Sequence, residues 1–425
     1  MKRFRNFIYP LVVIAIVSFI ACYSTNKVSV QNLADQYHGE YHYIHPEFSV
    51  YNRGDSMSLL YYKINESELL YVRKNMEDSF SATVRVLCKV TSAYESSMLL
   101  DSNSVILKIS SSTNSKTGFA IGSIPLRMPL DQKYLLTVRT SDIMSKKEDI
   151  EYINADKTNL FGKQNFLVKD ASSGQVLLNS YTDTAATLIV SYNRPTQKLY
   201  VNYYRRDFPM PAPPFSIVDP KPFKYKGDSS FSLTPDANGS YRLTMPPKGF
   251  YQLQVDTTNH DGLTLYRFEH HFPVIAEAYQ MVPPLRYITS TDEYNGFTTA
   301  IDIKHAVDYF WLNIAGSSEE RARTLIRNYY NRVQDANKFF TSYVEGWKTD
   351  RGMIYIIFGP PSIVYRSSTS ESWTYGEDRN FMSLYFSFQK VYNPFSDNDY
   401  SLDRSATYRN TWYNLVDIWR EGRVY

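Results

Sequence analysis

The sequence predicts a chain of three folded regions: two antiparallel β-sandwich domains of Ig-like type, then an α+β domain. Three observations predict this. The 425 residues are long for a single core. From about residue 46 to 275, short apolar runs recur between turn-forming clusters, and 37 Tyr and 24 Phe suit such pleated, half-buried surfaces. Past residue 276 the apolar spacing lengthens from two to three or four, and all five tryptophans lie there.

Residues 1–21 read as a leader. Lys2, Arg3 and Arg5 precede the apolar run FIYPLVVIAIVSFIA, the layout of a secretory signal. The run ends at Phe19-Ile20-Ala21-Cys22, which resembles a bacterial lipoprotein signal. That resemblance implies cleavage before Cys22 and acylation of its thiol and new amine; the plain alternative is an uncleaved membrane anchor. Several acyl chains on one cysteine give a stable anchor where one does not. The only other cysteine, Cys88, is then left without a partner, and no disulfide framework is expected. It alternates with Val84, Val86 and Val90 and reads as a small buried apolar residue. Lys2, Arg3 and Arg5 account for the whole net charge of +3, so the mature chain is near neutral. Without a Lys/Arg stripe it offers no case for nucleic acid.

Residues 22–45 read as a polar tether. His38, His42 and His45 fall at spacings that place them on one helical face near Glu40. Lacking partner acids at fixed geometry they read as solvated, and no metal or cofactor is expected.

Residues 46–165 form the first expected sandwich, from runs such as SLLYYKI, ATVRVLCKV and SVILKIS. In KYLLTVRT, Tyr134, Leu136 and Val138 share one face. Residues 166–275 form the second, in which SYRLTM-PPKG-FYQLQVD reads as a hairpin around a Pro-Gly turn. One segment interrupts it: DFPMPAPPFSIVDPKPF, residues 207–223, with six prolines that exclude it from a central ladder. It carries Phe208, Met210, Pro213, Pro214, Phe215, Ile217 and Val218. Two readings stand: a loop folded back on its own sandwich, or a stiff apolar arm that docks a partner at low entropic cost.

Residues 276–425 form the α+β region. Ser290 to Glu293 has capping-box form, and Tyr294, Phe297, Ile301, Val307, Trp311 and Ile314 continue a helix to Gly316. Ser317 with Glu320 opens a second helix through Leu325, Tyr329, Val333, Ala336 and Phe340 to Gly346. MIYIIF, SIVYR, ESWTY and FMSLYFSF read as strands, with a terminal helix within 404–422.

The stretch Gly346-Trp347-Lys348-Thr349-Asp350-Arg351-Gly352 lies between YYNRVQDANKFF and IYIIFGPP. It resembles the GWxTD domain, named for this signature and found in predicted bacterial lipoproteins, notably of the Bacteroidota. LRYITSTDEY, AVDYFW and ESWTY fit the same family, over roughly residues 280–390. The resemblance implies a lipoprotein with a β-rich N-terminal part and implies little about chemistry. Physically, Gly346 ends a helix and Trp347 drops its ring into the core. Thr349 and Asp350 stabilise a turn through their side chains. Arg351 pairs with Asp350 or Glu371, or presents its fork to a partner. Gly352 relieves the turn before a strand on which Ile354, Ile356 and Phe358 share a face, and Gly359, Pro360 and Pro361 end that strand.

A catalytic reading would need Asp350, Glu345 and Glu371 to supply the carboxylate pair of glycan hydrolysis. His305 is the one histidine of this region, and HExxH, GxSxG and phosphate-loop motifs are missing. A non-catalytic role is therefore expected: an outer-membrane lipoprotein serving as scaffold or accessory subunit of a cell-envelope machine, barrel assembly or type-nine secretion. Its partners would be an outer-membrane β-barrel or other envelope proteins. The alternative is a glycan- or ligand-binding lipoprotein whose aromatic rings stack on sugars; a carboxylate-dependent hydrolase is the third reading. Surface-displayed lipoproteins of these bacteria resemble one another in acidic residues soon after the cysteine. Here the first acid after Cys22 is Asp35, so a periplasm-facing chain is expected.

Overall fold

β1 (Glu47–Tyr51) and β2 (Met57–Asn65) open the first region, and strict alternation along β2 buries Ser58, Leu60, Tyr62 and Ile64. In the computed structural model the described residues are 27–39, 43–205, 208–217 and 225–424; Cys22, Glu40, His42 and Val218 lie outside them. β3 (Phe80–Thr91), β4 (Asp101–Ser111), β5 (Phe119–Arg127), β6 (Lys133–Asp142) and β7 (Lys147–Asp156) complete two antiparallel sheets. Their orders are β1-β2-β5 and β4-β3-β6-β7. Leu60 and Ile64 of one sheet share a core with Val84, Val86, Tyr134, Leu136 and Val138 of the other. Cys88 sits among those valines, and burial pushes its thiol up to about 12.

The second region comprises β8 (Phe166–Asp170), β9 (Tyr181–Thr182), β10 (Thr187–Tyr192), β11 (Leu199–Tyr204), β12 (Ser229–Leu233), β13 (Ser240–Thr244), β14 (Gly249–Gln254) and β15 (Leu263–Arg267). Its sheets run β13-β10-β8 and β12-β11-β14-β15-β9, with β9 parallel to β15 and the other pairs antiparallel. The expected hairpin across PPKG does not form. β13 pairs with β10, while β14 pairs with β11 and β15, so PPKG carries the chain from one sheet to the other. Tyr241 and Leu243 then share the core with Tyr251 and Leu253 instead of lying beside them in one ladder. Two successive prolines lack the N–H groups a hairpin ladder would use. Gly249 makes the change of sheet: its φ is +133°, and a Cβ there would stand 2.4 Å from the Tyr204 carbonyl oxygen.

The third region holds α1 (Ala278–Leu285), α2 (Thr291–Thr299), α3 (Ile303–Ile314), α4 (Glu319–Phe340), α5 (Asp350–Phe358) and α6 (Tyr408–Arg420). Between α5 and α6, β16 (Ile363–Arg366), β17 (Ser370–Tyr375), β18 (Leu384–Lys390) and β19 (Tyr400–Leu402) form an antiparallel sheet in sequence order. Ser290 and Glu293 make the reciprocal capping box expected of them. The helix behind them is two helices, because Ala300 is extended, Ile301 is fully exposed and Asp302 starts α3 by accepting from the His305 N–H. His305 is thus a first-turn residue. The second cap falls one residue later than expected: Ser317 follows Gly316 at positive φ, and Ser318 caps α4. Leu325, Tyr329, Val333, Ala336 and Phe340 line the buried stripe of α4 as their spacing predicts.

MIYIIF is a helix, not a strand. Arg351 to Ile357 are all buried, so the run has no period to distinguish a strand from a helix. The helix start is local: Thr349 Oγ1 accepts from the Gly352 N–H at 3.0 Å. Gly359, at φ +84°, ends the helix, and Arg332 Nη1 donates to the Ile356 carbonyl at 3.2 Å. Gly346 does not end α4, which stops at Phe340; it starts the 3-10 turn Gly346–Lys348.

Two segments depart furthest from expectation. The polar tether is, from Lys27 to Tyr37, part of the third region, while Ile44 at its end joins the first core. The 3-10 turns Val28–Val30 and Ala34–Tyr37 place Val28, Leu33, Ala34 and Tyr37 in its core, and the Leu33 N–H donates to the Val364 carbonyl at 2.8 Å. His45 Nδ1 lies 3.1 Å from Glu68 Oε1. The described residues of the proline-rich arm fold back partly onto their own sheet, at Phe250 of β14, and partly across to the third region. Met210 and Phe215 pack on the third core, Phe208 lies against Phe250 and Tyr343, and the Pro214 carbonyl accepts from the Ser405 N–H at 3.1 Å. Pro214 is buried, Pro213 exposed. Among the described residues no helix is long and apolar enough to cross a membrane.

Candidate functional site

The signature closes a corner between α4, α5 and the sheet. Gly346 lies so close to α4 that a Cβ would stand 1.9 Å from the Ala336 carbonyl oxygen. Gly352 lies equally close to Gly346, with 1.9 Å from its would-be Cβ to the Gly346 oxygen. Two glycines thus let three backbone segments meet. Asn337 fixes the contact: its Oδ1 accepts from the Trp347 N–H at 3.2 Å and its Nδ2 donates to the Pro273 carbonyl at 3.1 Å. Trp347 is buried, with Tyr287 edge-on to its ring and the Tyr287 hydroxyl donating to the Trp347 carbonyl at 2.7 Å.

The acids and bases of the corner are engaged with one another. Asp350 accepts from Arg404 and, at 2.8 Å, from the Leu402 N–H. Arg404 also donates to the Ala212 carbonyl at 3.2 Å, so one guanidinium joins the signature to the proline-rich arm. Glu345 pairs with Lys348. Glu371, fully buried, accepts from Arg351 at 3.2 Å, Arg366 at 2.9 Å, Trp373 Nε1 at 2.7 Å and the Tyr37 hydroxyl at 2.6 Å. Burial alone would raise its carboxyl, but the two guanidiniums and these hydrogen bonds hold it down at about 2. Burial pushes the Tyr37 phenol up, so it stays a donor. Arg351 also donates to the Asn398 carbonyl at 3.0 Å and lies over the Tyr400 ring. The three carboxylates considered for hydrolysis are therefore each engaged by different cations, Glu371 by two.

Sequence reasoning placed Trp347 in the core and left Arg351 open between Asp350, Glu371 and a partner, of which the structure shows Glu371. It missed Tyr37, Arg366, Asn337, Asn398 and Arg404. Glu371 to Tyr37 spans 334 positions, and neither residue belongs to a local motif that marks the pair. The Tyr37 bond is testable: Tyr37→Phe removes a donor to a buried carboxylate and should cost about 2 kcal/mol in urea unfolding.

Beside the corner, a cleft of 810 Å³ opens where the three regions meet. Tyr152 and Tyr181 line it with Tyr400, Arg351 and Glu151. Burial first, then Asp149 and Glu47, raise the Glu151 carboxyl from 4.5 to about 8. A carboxyl raised in the folded state costs stability progressively as pH climbs from about 4.5 through about 8. Glu151→Gln should therefore raise Tm at pH 9 and leave it nearly unchanged at pH 4, as calorimetry at the two pH values would show. Among the described residues no group of His, Cys, Asp and Glu is placed to hold a metal ion.

No curated protein matches the chain. A family model does match, and it begins at Gly249, so that β14 and β15 fall inside it together with the helices and the last sheet. Residues 249–421 are a GWxTD domain.

Proposed function

We propose that the chain is a lipid-anchored scaffold or accessory subunit of a cell-envelope machine, held at the outer membrane of a Bacteroidota-type bacterium through Cys22 and facing the periplasm. Barrel assembly and type-nine secretion are the candidate machines, and an outer-membrane β-barrel or another envelope protein the candidate partner. The observation that carries this reading is the use of the signature. Its charged side chains and those around it hold the N-terminal segment, the proline-rich arm and the GWxTD domain together. Such a network serves rigidity, and a rigid body on a lipid anchor suits assembly. We read the two pairs of β-sheets ahead of it as Ig-like sandwiches, modules that space and present surfaces. The test is purification of the tagged, acylated protein from envelopes in mild detergent. A stoichiometric set of barrel or periplasmic proteins is expected; recovery of the lipoprotein alone at native expression contradicts the reading.

One observation favours a second reading, a glycan- or ligand-binding lipoprotein: the cleft of 810 Å³ lined by tyrosines and Glu151. Its size and its place between domains are those of ligand sites. Glycan-array binding that Tyr152→Ala abolishes would favour it over the scaffold.

A further inference from the structure

We infer that the loop between β3 and β4, with the N-terminal turn beside it, is a membrane-resting face: Val30, Met98, Leu99 and Leu100 lie against the lipid surface that holds Cys22. The inference rests on the reading of Cys22 as acylated and deepens it from an anchor to an orientation.

The first step is the length of chain between lipid and body. Val28 is buried in the third core, and the Ser29 N–H donates to the Tyr94 carbonyl at 3.0 Å. The six residues from Cys22 to Val28 span at most about 20 Å even fully extended. A globular body of about 400 residues has a radius of gyration of about 21 Å. The leash is thus no longer than the body's own radius, and whatever surrounds Val28 is held toward the bilayer.

The second step is what surrounds it. Tyr94 lies in the loop that Ser29 grips, and that loop exposes three consecutive large apolar residues: Met98 at 69%, Leu99 at 45% and Leu100 at 38%. On the N-terminal turn Val30 is 66% exposed. Apolar side chains grouped in this way cost solubility unless something covers them. Glu95, in the same loop, is exposed but held: its carboxylate accepts from the Ser368 N–H and hydroxyl, each at 2.7 Å. Burial opposes its charge, but the Ser368 bonds and the nearby Lys27 ammonium keep it low. The carboxylate stays ionised, and the Lys27 ammonium offsets its charge where anionic headgroups would lie. Apolar contact of this kind adds to acyl anchoring and fixes the angle at which the body stands.

The test places a reporter in the loop. Full-length acylated Met98→Cys protein is labelled with bimane, Cys88 being buried, and reconstituted into phosphatidylethanolamine/phosphatidylglycerol vesicles with brominated acyl chains. Loss of most of the bimane emission relative to unbrominated vesicles is expected. Intact mass of the N-terminal peptide, measured on the same sample, reports the acyl groups on Cys22. Unquenched emission from vesicle-bound, acylated protein overturns the orientation and leaves the anchor standing. A Cys22 without acyl groups overturns the anchor and with it the orientation.

Discussion

Glu371→Ala lowers the unfolding free energy by about 3–5 kcal/mol, because it strands two buried guanidiniums without their counter-charge. Arg351 is 2% exposed and Arg366 13%, so water reaches neither well enough to replace the carboxylate. The loss comes from breaking the triad rather than from lacking it. Replacing all three residues by apolar side chains of similar volume should cost far less than the single change. The pH dependence follows from the same geometry. The carboxyl is held at about 2 against an ordinary 4.5, so its contribution is complete above about 4.5 and is lost as pH falls toward 2. Urea unfolding between pH 6 and pH 2 should show this acid loss in the wild type, and Glu371→Ala should flatten it over that window.

Gly346→Ala destabilises the GWxTD domain by about 3 kcal/mol, at the upper end of what overpacking costs. The would-be Cβ meets backbone, not a side chain that could swing away: the Ala336 carbonyl oxygen at 1.9 Å, its carbon at 2.6 Å and the Asn337 Cα at 2.8 Å. Relief requires α4 to separate from the turn, which breaks the Asn337 bond to the Trp347 N–H. The expected signature in near-ultraviolet dichroism and tryptophan emission is exposure of Trp347. Trp347→Ala should cost a comparable 3–5 kcal/mol by cavity formation. A Gly346→Ala protein as stable as the wild type would mean that the close approach carries no constraint.

Period and caps carried most of what was legible in the sequence. The alternation through Val84, Val86, Cys88 and Val90 and the spacing from Leu325 to Phe340 each settle which face is buried, since a strand or helix with one wet face must keep its period. Where both faces are buried, as in MIYIIF, the period vanishes, and only Thr349 before the run and Gly359 after it mark a helix. The second failure was of partnership. SYRLTM and FYQLQVD were each legible as strands, but which strand each would pair with depends on the other sheet. The third concerned polarity. Residues 27–39 read as tether because their few apolar side chains show no period, yet Val28, Leu33, Ala34 and Tyr37 are enough to seat the segment in a cleft that a distant domain provides. The site was legible as a corner and not as a junction, because Tyr37, Arg366 and Arg404 converge on it from segments that no local motif connects.

Amide hydrogen exchange over residues 28–38 tests most directly whether the signature locks the N-terminal segment into the GWxTD domain. The Ser29, Leu33 and Gln36 N–H groups donate to the Tyr94, Val364 and Leu33 carbonyls, the first in the loop after β3 and the second in β16. The peptide should exchange as slowly as one covering β16 and β17, and Glu371→Ala should accelerate both together. Exchange of residues 28–38 at the rate of an unstructured chain, with the GWxTD domain still protected, would contradict the account.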